Sequence, residues 1–523
     1  MRNTIYLKYF FVLFCITLPH IFYLKVYKAT IWVDSIFHVA YSQAILNKSN
    51  YLQWYVDRGL THYTHEGLGF SFLWHLMPGD NHWFYFALTQ HVISIFAVFY
   101  FYLCLNKINE SKWNLFFCFC LASSPYLMFY DSSYMTESLA KSCLIFSVGL
   151  SISKYVDKSF SAKKFIILMI INTLVISQFR LYWGSFIVIL TVLALFDSKI
   201  LIKSFMRIGV YVFFSLIILN INPMVRYFYT GDYTVYYSGF SKLEKFINNE
   251  KTIDVEGVLE NEFKVFADIN KDLLKNDSYV ETLRNPDYSV PLYKYFILEK
   301  RKTPKEIDIF LNEIINKISI DSENSVMSKN KIRMFLDTSG LIKLFLDKND
   351  NYCLRFSSEA SCVNENFISY WNYLSTNHST PYKDGQMKSW FYYDGVWDML
   401  GARNLIYNKL NPGYTIHSID CSGAICRKIE NVLLLAGSFD IYLYSLIGCL
   451  CLVFLTLFVS LRMGGSLIMI IVINSTISSI TMLSDARIMM PAFIIYGVGI
   501  AIFFSHIQKN AIIYFKRLII NKN

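Results

Sequence analysis

The chain lacks a glycine-rich phosphate loop, a CxxC pair at zinc spacing and any internal repeat. These absences remove P-loop nucleotide hydrolysis, a dinucleotide-binding fold, a zinc ribbon and a solenoid. No small-x-small cleavage site follows the first apolar run, Ile5 to Tyr23; "LPHIFYLKVYKA" occupies that place. The run is therefore read as an uncleaved membrane span. Acidic residues are the scarcer charge, 39 Asp and Glu against 49 Lys and Arg, for a net charge of +10. Many of the cations flank apolar runs, which fits anionic lipid and membrane topology better than nucleic acid.

What the chain has in excess is apolar surface. Of 523 residues 54% are hydrophobic, including 44 Phe and 38 Tyr, and the mean hydropathy is +0.35. Soluble chains sit nearer 45–50% apolar, and here the excess is gathered into runs. The expected fold is a polytopic α-helical membrane protein with about ten spans, at 5–24, 84–105, 113–129, 138–153, 165–180, 182–197, 205–222, 438–460, 466–483 and 488–507. Several are shorter than the roughly 20 residues a perpendicular helix needs, which suggests re-entrant segments or helices that stop around a cavity.

The connections "NKINESKW", "KYVDKSFSAKK" and "DSKILIKSFMR" and the tail "KNAIIYFKRLIINKN" are rich in Lys and Arg. All fall on the side of the N-terminus, which the positive-inside rule makes cytoplasmic; Lys25 and Lys28 oppose this and are outnumbered. Both termini are then cytoplasmic. The other side receives the Asp34 segment within a first external loop (25–83), "FYDSSYMTES", "QFRLYWG", a long segment (223–437) and "LSDARIMMP". The chain divides into an N-terminal membrane module (1–222, about seven spans), an external domain (223–437) and a C-terminal membrane module (438–523, about three spans).

The external domain reads as mainly helical over 241–350 and more irregular over 350–430. Its clearest element is "RKTPKEIDIFLNEIINKI", where Thr303 caps, Pro304 takes the first helical position and Glu306 closes a capping box. Ile307, Phe310, Leu311, Ile314 and Ile318 then share one apolar face. Seven of the eleven cysteines, Cys15, Cys104, Cys118, Cys120, Cys143, Cys449 and Cys451, fall in apolar spans. The other four, Cys353, Cys362, Cys421 and Cys426, fall in the external domain. Two disulfides in an oxidising compartment are expected there, paired by short loop length as Cys353–Cys362 and Cys421–Cys426, although four cysteines allow three connectivities and four free thiols are the plainer alternative.

Ionisable groups gather on the external face: Asp34 with His38, Asp131 to Glu137, Lys141, Arg180, and Asp485 with Arg487. A carboxylate base beside several cations suits attack by a hydroxyl with departure of a phosphate. Each member also has a plainer role. Asp34 can cap a helix, and His38 can be a packing residue. Glu137 can be a first-turn acid favoured by the helix dipole, with Lys141 as its i,i+4 partner. Arg180 and Arg487 can snorkel to the interface. "THYTHEG" brings His62, His65 and Glu66 close enough for a divalent cation, but a polar cavity wall explains them as well, and neither a metal nor another cofactor is expected. The aromatic stretches "RYFYTGDYTVYYSGF" and "KSWFYYDGVWDML" suit a sugar surface, and an interfacial aromatic belt explains the first nearly as well.

Three stretches carry a family resemblance: "WVDSIFHVAYSQAIL" soon after span one, "YMTESLAKSCL" at the start of the fourth span, and "SDARIMMPAFIIYG" at the last. Together they resemble the GT-C-fold glycosyltransferases that use a polyprenyl-phosphate-linked sugar. The likeness covers about 300 residues of membrane region by layout and a few short motifs by identity. It implies an inverting transfer with Asp34 as general base, Arg180 and Arg487 with Lys141 on the phosphate, and Asp485 beside Arg487. His38 and Glu137 would shape the acceptor side. The partners implied are a polyprenyl-phosphate sugar, a glycan acceptor such as O-antigen or another surface polysaccharide, and the bilayer, with no nucleic acid. The place implied is a bacterial inner membrane with a periplasmic site. An O-antigen polymerase or ligase is the nearest alternative, and a lipid-linked glycan transporter a more distant one.

Overall fold

The computed structural model describes residues 2–27, 69–77, 82–132, 136–157, 159–197, 200–230, 441–481 and 486–520, with single positions between 306 and 341 and two short strands. Among the described residues, seven helices are long and apolar enough to cross a membrane: Tyr6–Leu24, Phe84–Ile108, Glu137–Val156, Ala162–Phe179, Leu201–Met224, Leu461–Ser479 and Met490–Asn510. The chain is a polytopic helical membrane protein.

In chain order the N-terminal helices are α1 (Arg2–Tyr27), α2 (Gly69–His75), α3 (His82–Ile108), α4 (Lys112–Ser123), α5 (Pro125–Ser132), α6 (Glu137–Val156) and α7 (Ala162–Phe179). They are followed by α8 (Trp183–Leu195), α9 (Leu201–Leu219) and α10 (Ile221–Thr230). At the other end of the chain lie α11 (Ile441–Phe454), which runs on into a π-helical turn (Leu455–Val459), α12 (Leu461–Thr481) and α13 (Ala486–Ile520).

Three of the ten expected spans are built differently. The segment 113–129 is two helices, α4 and α5, broken at Ser124, whose ψ of 117° is extended. Pro125 is the cause: it restricts the residue before it and starts a new helix as its first residue. The segment 182–197 holds only the 13 residues of α8. The segment 438–460 holds the 14 residues of α11 and the five-residue π turn.

Each long helix sorts its side chains by environment. On α1, Val12, Ile16, His20 and Tyr23 are buried, while Leu7, Phe11, Phe14, Leu18 and Ile21 are exposed. Both sets recur at helical spacing, and the exposed face is as apolar as the buried one, as hydrocarbon surroundings require. On α3 the buried face runs through Ala87, His91, Ser94, Val98, Phe101 and Leu105. The two inward faces meet, and each includes a histidine.

Helix α6 is the centre of the bundle and is buried almost all round, from Glu137 to Ser153. Its small residues, Ser138, Ala140, Ser142, Ser147, Gly149 and Ser151, let neighbouring helices approach. At Gly149 a Cβ would stand 3.1 Å from the Tyr100 ring of α3, so only glycine fits without displacement. Two of the serine hydroxyls are satisfied within the helix, Ser142 donating to the Ser138 carbonyl and Ser151 to the Ser147 carbonyl, each at 3.0 Å. From α7, Asn172 donates to the Cys143 carbonyl at 2.8 Å and to the Ser147 hydroxyl.

The bundle has two chemically different ends. Ion pairs Lys8–Glu110, Lys107–Asp157 and Arg462–Asp197 mark the end that carries the N-terminus. The starts of α3, α6 and α8 and the end of α7 mark the opposite end.

Within the long segment between the membrane modules, Glu306, Ile309, Phe310, Asn312 and Glu313 are helical, as expected of "RKTPKEIDIFLNEIINKI". Ser339 is buried, and its carbonyl accepts a hydrogen bond from Tyr496 of α13 at 2.7 Å, so this segment is tied to the bundle. Tyr382–Lys383 and Gln386–Met387 form a two-residue antiparallel ladder. The remainder of the expected external domain, with Cys353, Cys362, Cys421 and Cys426, lies outside the described residues. The seven cysteines expected in spans are all free thiols on helices.

Candidate functional site

Six ionisable side chains and a pair of serines converge at the end of the bundle opposite the N-terminus. They come from α1, α3, α5 and α6, with Arg180 from the turn after α7. The helix break explains part of the arrangement. Because the chain stops and restarts at Ser124 and Pro125, the short α5 ends at Ser132 and holds Asp131 against the first turns of α6.

Asp131 is the hub. Its Oδ1 accepts from the Ser138 hydroxyl at 2.5 Å and from the Lys141 ammonium at 2.6 Å. Lys141 also donates to the Leu127 carbonyl at 3.2 Å. The pair is sealed from solvent, with Lys141 2% and Asp131 0% exposed. The Asp131 carbonyl accepts from the Gln90 amide at 3.1 Å, which fixes α5 against α3. Oδ2 of Asp131 has no hydrogen-bond partner among the described residues. It faces His20, whose Nδ1 is 3.8 Å away.

His20 and His91 face one another edge to face, their Nδ1 atoms 2.9 Å apart. The other nitrogen of His91, Nε2, lies 3.1 Å from the Ser132 hydroxyl. Both rings are buried. His20, His91 and Asp131 thus each offer a potential ligand atom, the three within 4.8 Å of one another. They sit about one to two turns inside the helix ends, since His20 is four residues from the end of the Tyr6–Leu24 span and His91 seven from the start of Phe84–Ile108.

One turn nearer the end of α6, Glu137 pairs with Arg180. Glu137 opens α6, where its carboxylate meets the helix dipole, and it accepts from the Thr136 hydroxyl at 3.3 Å. Arg180 ends α7, and its own N–H closes on the Ile176 carbonyl at 2.7 Å. A tight turn follows, in which Trp183 N–H reaches the Arg180 carbonyl at 3.0 Å. The guanidinium is 18% exposed and Glu137 only 1%, so the arginine forms the outer rim.

Of the residues expected from the sequence, Glu137, Lys141 and Arg180 are brought together here, along with Asp131. Lys141 does not pair with Glu137 one turn away; Asp131 takes its ammonium, and Glu137 takes Arg180. Arg487 lies on α13, whose backbone is described there while the side chain is not. Asp34, His38 and Asp485, with the His62, His65 and Glu66 group, lie outside the described residues. Neither His20 nor His91 is a site candidate from the sequence. Their signal was an ionisable residue inside an apolar run, "ITLPHIFYL" and "LTQHVISIF".

No protein-family model, no curated protein and no solved structure matches the chain.

Proposed function

We propose that the protein is a membrane glycosyltransferase that moves a sugar from a polyprenyl phosphate to a glycan acceptor. In this reading α4 with α5, α8, and α11 with its π turn complete ten crossings, so both termini lie on the basic, cytoplasmic side. The site then faces the periplasm of a bacterial inner membrane, and O-antigen or another surface polysaccharide is the acceptor. The resemblance to the GT-C glycosyltransferases supplies the roles. Asp34 abstracts the acceptor proton, Arg180 and Arg487 hold the phosphate, and His38 and Asp485 complete the surroundings.

The observation that supports this most is the segregation of buried charge. Lys141–Asp131 and Arg180–Glu137 stand together at one end of the bundle, with Arg180 on the rim. Desolvated ion pairs are a costly way to hold helices together, so their grouping at a membrane mouth points to work on a charged group there. Lys141 is spent on Asp131 and belongs to the support of the site. Arg180 is the cation positioned to meet a lipid phosphate at the rim.

A second reading, a proton-coupled lipid-glycan transporter, is favoured by two features: the His20–His91–Asp131 contact inside the span region, and the helix break at Ser124–Pro125. Transfer of labelled sugar from polyprenyl phosphate by the purified protein separates the two. Asp34→Asn keeps any helix cap but removes the base, and transfer should fall by about 10²–10⁴. Transfer near the wild-type rate in this variant removes Asp34 from the reaction.

A further inference from the structure

We infer that His20, His91 and Asp131 form a binding site for a divalent first-row transition-metal ion, Zn²⁺ above all. The inference stands on ligand geometry and is independent of the reaction proposed above.

The two Nδ1 atoms are 2.9 Å apart. One ion bound at about 2.0–2.1 Å holds two imidazole nitrogens about 2.9–3.4 Å apart, for angles between roughly 90° and 109°. Asp131 Oδ2, 3.8 Å from His20 Nδ1, fits a wider angle at the same centre. Each of the three residues offers one ligand atom within 4.8 Å of the other two, and all three side chains are buried.

The surroundings of His91 and Asp131 match those of metal ligands, while the other nitrogen of His20, Nε2, is buried without a hydrogen-bond partner among the described residues. His91 has Nδ1 toward the centre and its Nε2 3.1 Å from the Ser132 hydroxyl, which can accept the Nε2–H in the tautomer that leaves the Nδ1 lone pair for a metal. Asp131 spends one oxygen on Ser138 and Lys141 and its backbone carbonyl on Gln90. The second oxygen, buried and without a hydrogen-bond partner among the described residues, is the one turned toward the histidines. A carboxylate held by one oxygen and free at the other is prepared for a cation.

The donor set selects the ion. Two imidazoles and one carboxylate oxygen suit Zn²⁺ or Co²⁺, whereas Mg²⁺ and Ca²⁺ take oxygen ligands. Charge sets the rest of the shell. Lys141 cancels Asp131 and Arg180 cancels Glu137, so a bound ion adds two positive charges to a buried region. An anionic ligand at the open position, a hydroxide, phosphate or carboxylate, offsets them. Three protein ligands and one exchangeable position is the pattern of catalytic zinc.

The test uses the full-length protein in detergent, with any affinity tag removed. It is stripped with chelator and titrated with Zn²⁺ or Co²⁺ while bound metal, the visible Co²⁺ spectrum and the melting temperature are followed. One ion per chain is expected, with a nitrogen-ligated cobalt spectrum, a raised melting temperature, and no competition from excess Mg²⁺ or Ca²⁺. Ser132→Ala should weaken binding about 10- to 100-fold, and His20→Ala and His91→Ala by more. The double substitution His62→Ala/His65→Ala should leave the ion in place. A wild-type protein that takes up no stoichiometric metal overturns the inference whatever the variants do. So does an ion that survives both single histidine variants, or one that leaves with His62 and His65.

Discussion

The two ends of the bundle use the same chemistry under opposite conditions. At the end that carries the N-terminus, Lys107 meets Asp157 at 3.2 Å, with the two side chains 40% and 32% exposed. At the other end, Lys141 meets Asp131 at 2.6 Å in near-complete burial. An exposed pair gains little, because water and salt screen it and both chains lose freedom. A buried pair has already given up its hydration, so each partner depends on the other. The first end is interchangeable surface. The second is a fixed arrangement in which removing one charge strands another.

The largest effect expected from this contrast is that of Lys141→Met. It leaves Asp131 charged, buried and without its cation, which costs about 3–5 kcal/mol. The thermal midpoint in detergent should fall further than for any surface substitution. Adding Asp131→Asn in the same chain should restore much of the loss. Equal midpoints for Lys141→Met and the double variant would mean that the pair is not coupled.

A smaller loss is expected at the rim. Arg180→Ala removes the guanidinium paired with Glu137, at about 2–3 kcal/mol because the arginine is already 18% exposed. Adding Glu137→Gln should bring the midpoint back toward wild type. If Arg180 also holds the donor phosphate, the stabilised double variant still transfers sugar about ten- to a hundredfold more slowly. Recovery of stability and transfer together would reduce Arg180 to a structural partner.

The smallest effect belongs to the exposed end. The Asp157 carboxyl is held below its ordinary range first by the Ser159 hydroxyl and then by Lys107. A depressed carboxylate contributes stability above its unfolded pKa and loses it as pH falls through the lower folded value. Between pH 5 and 8 that contribution is therefore constant. Asp157→Asn should move the midpoint by no more than replicate scatter across this range. A clear destabilisation that persists in high salt would show that the two ends differ less than their burial implies.

The sequence made the helical membrane architecture legible because lipid demands long apolar runs, and seven such helices are present among the described residues. It also drew attention to Glu137, Lys141 and Arg180, charges at the ends of runs where charge is costly. It was silent on partner choice. Glu137 and Arg180 are 43 residues apart, and Lys141 passes over the acid one turn away for Asp131, because the α5 break and the packing of α7 decide which groups meet. The break itself was written in "SSPY", where Pro125 interrupts an otherwise continuous apolar run. His20 and His91 were hidden by the same hydropathy that identified their helices: a long apolar run absorbs one histidine without losing its character as a span. Their meeting is a tertiary fact, set by the inward faces of α1 and α3.

The most direct test of the proposed function needs neither the sugar nor the acceptor to be known. Polyprenyl phosphate, the product common to every such donor, and the uncharged polyprenol are compared as ligands of the purified protein, by competition or native mass spectrometry, in the wild type and in Arg180→Ala/Glu137→Gln. A phosphate-binding rim predicts that the wild type prefers the phosphate about ten- to a hundredfold and that the double variant loses most of this preference while keeping its thermal midpoint. Equal binding of the two lipids by the wild type would contradict the account.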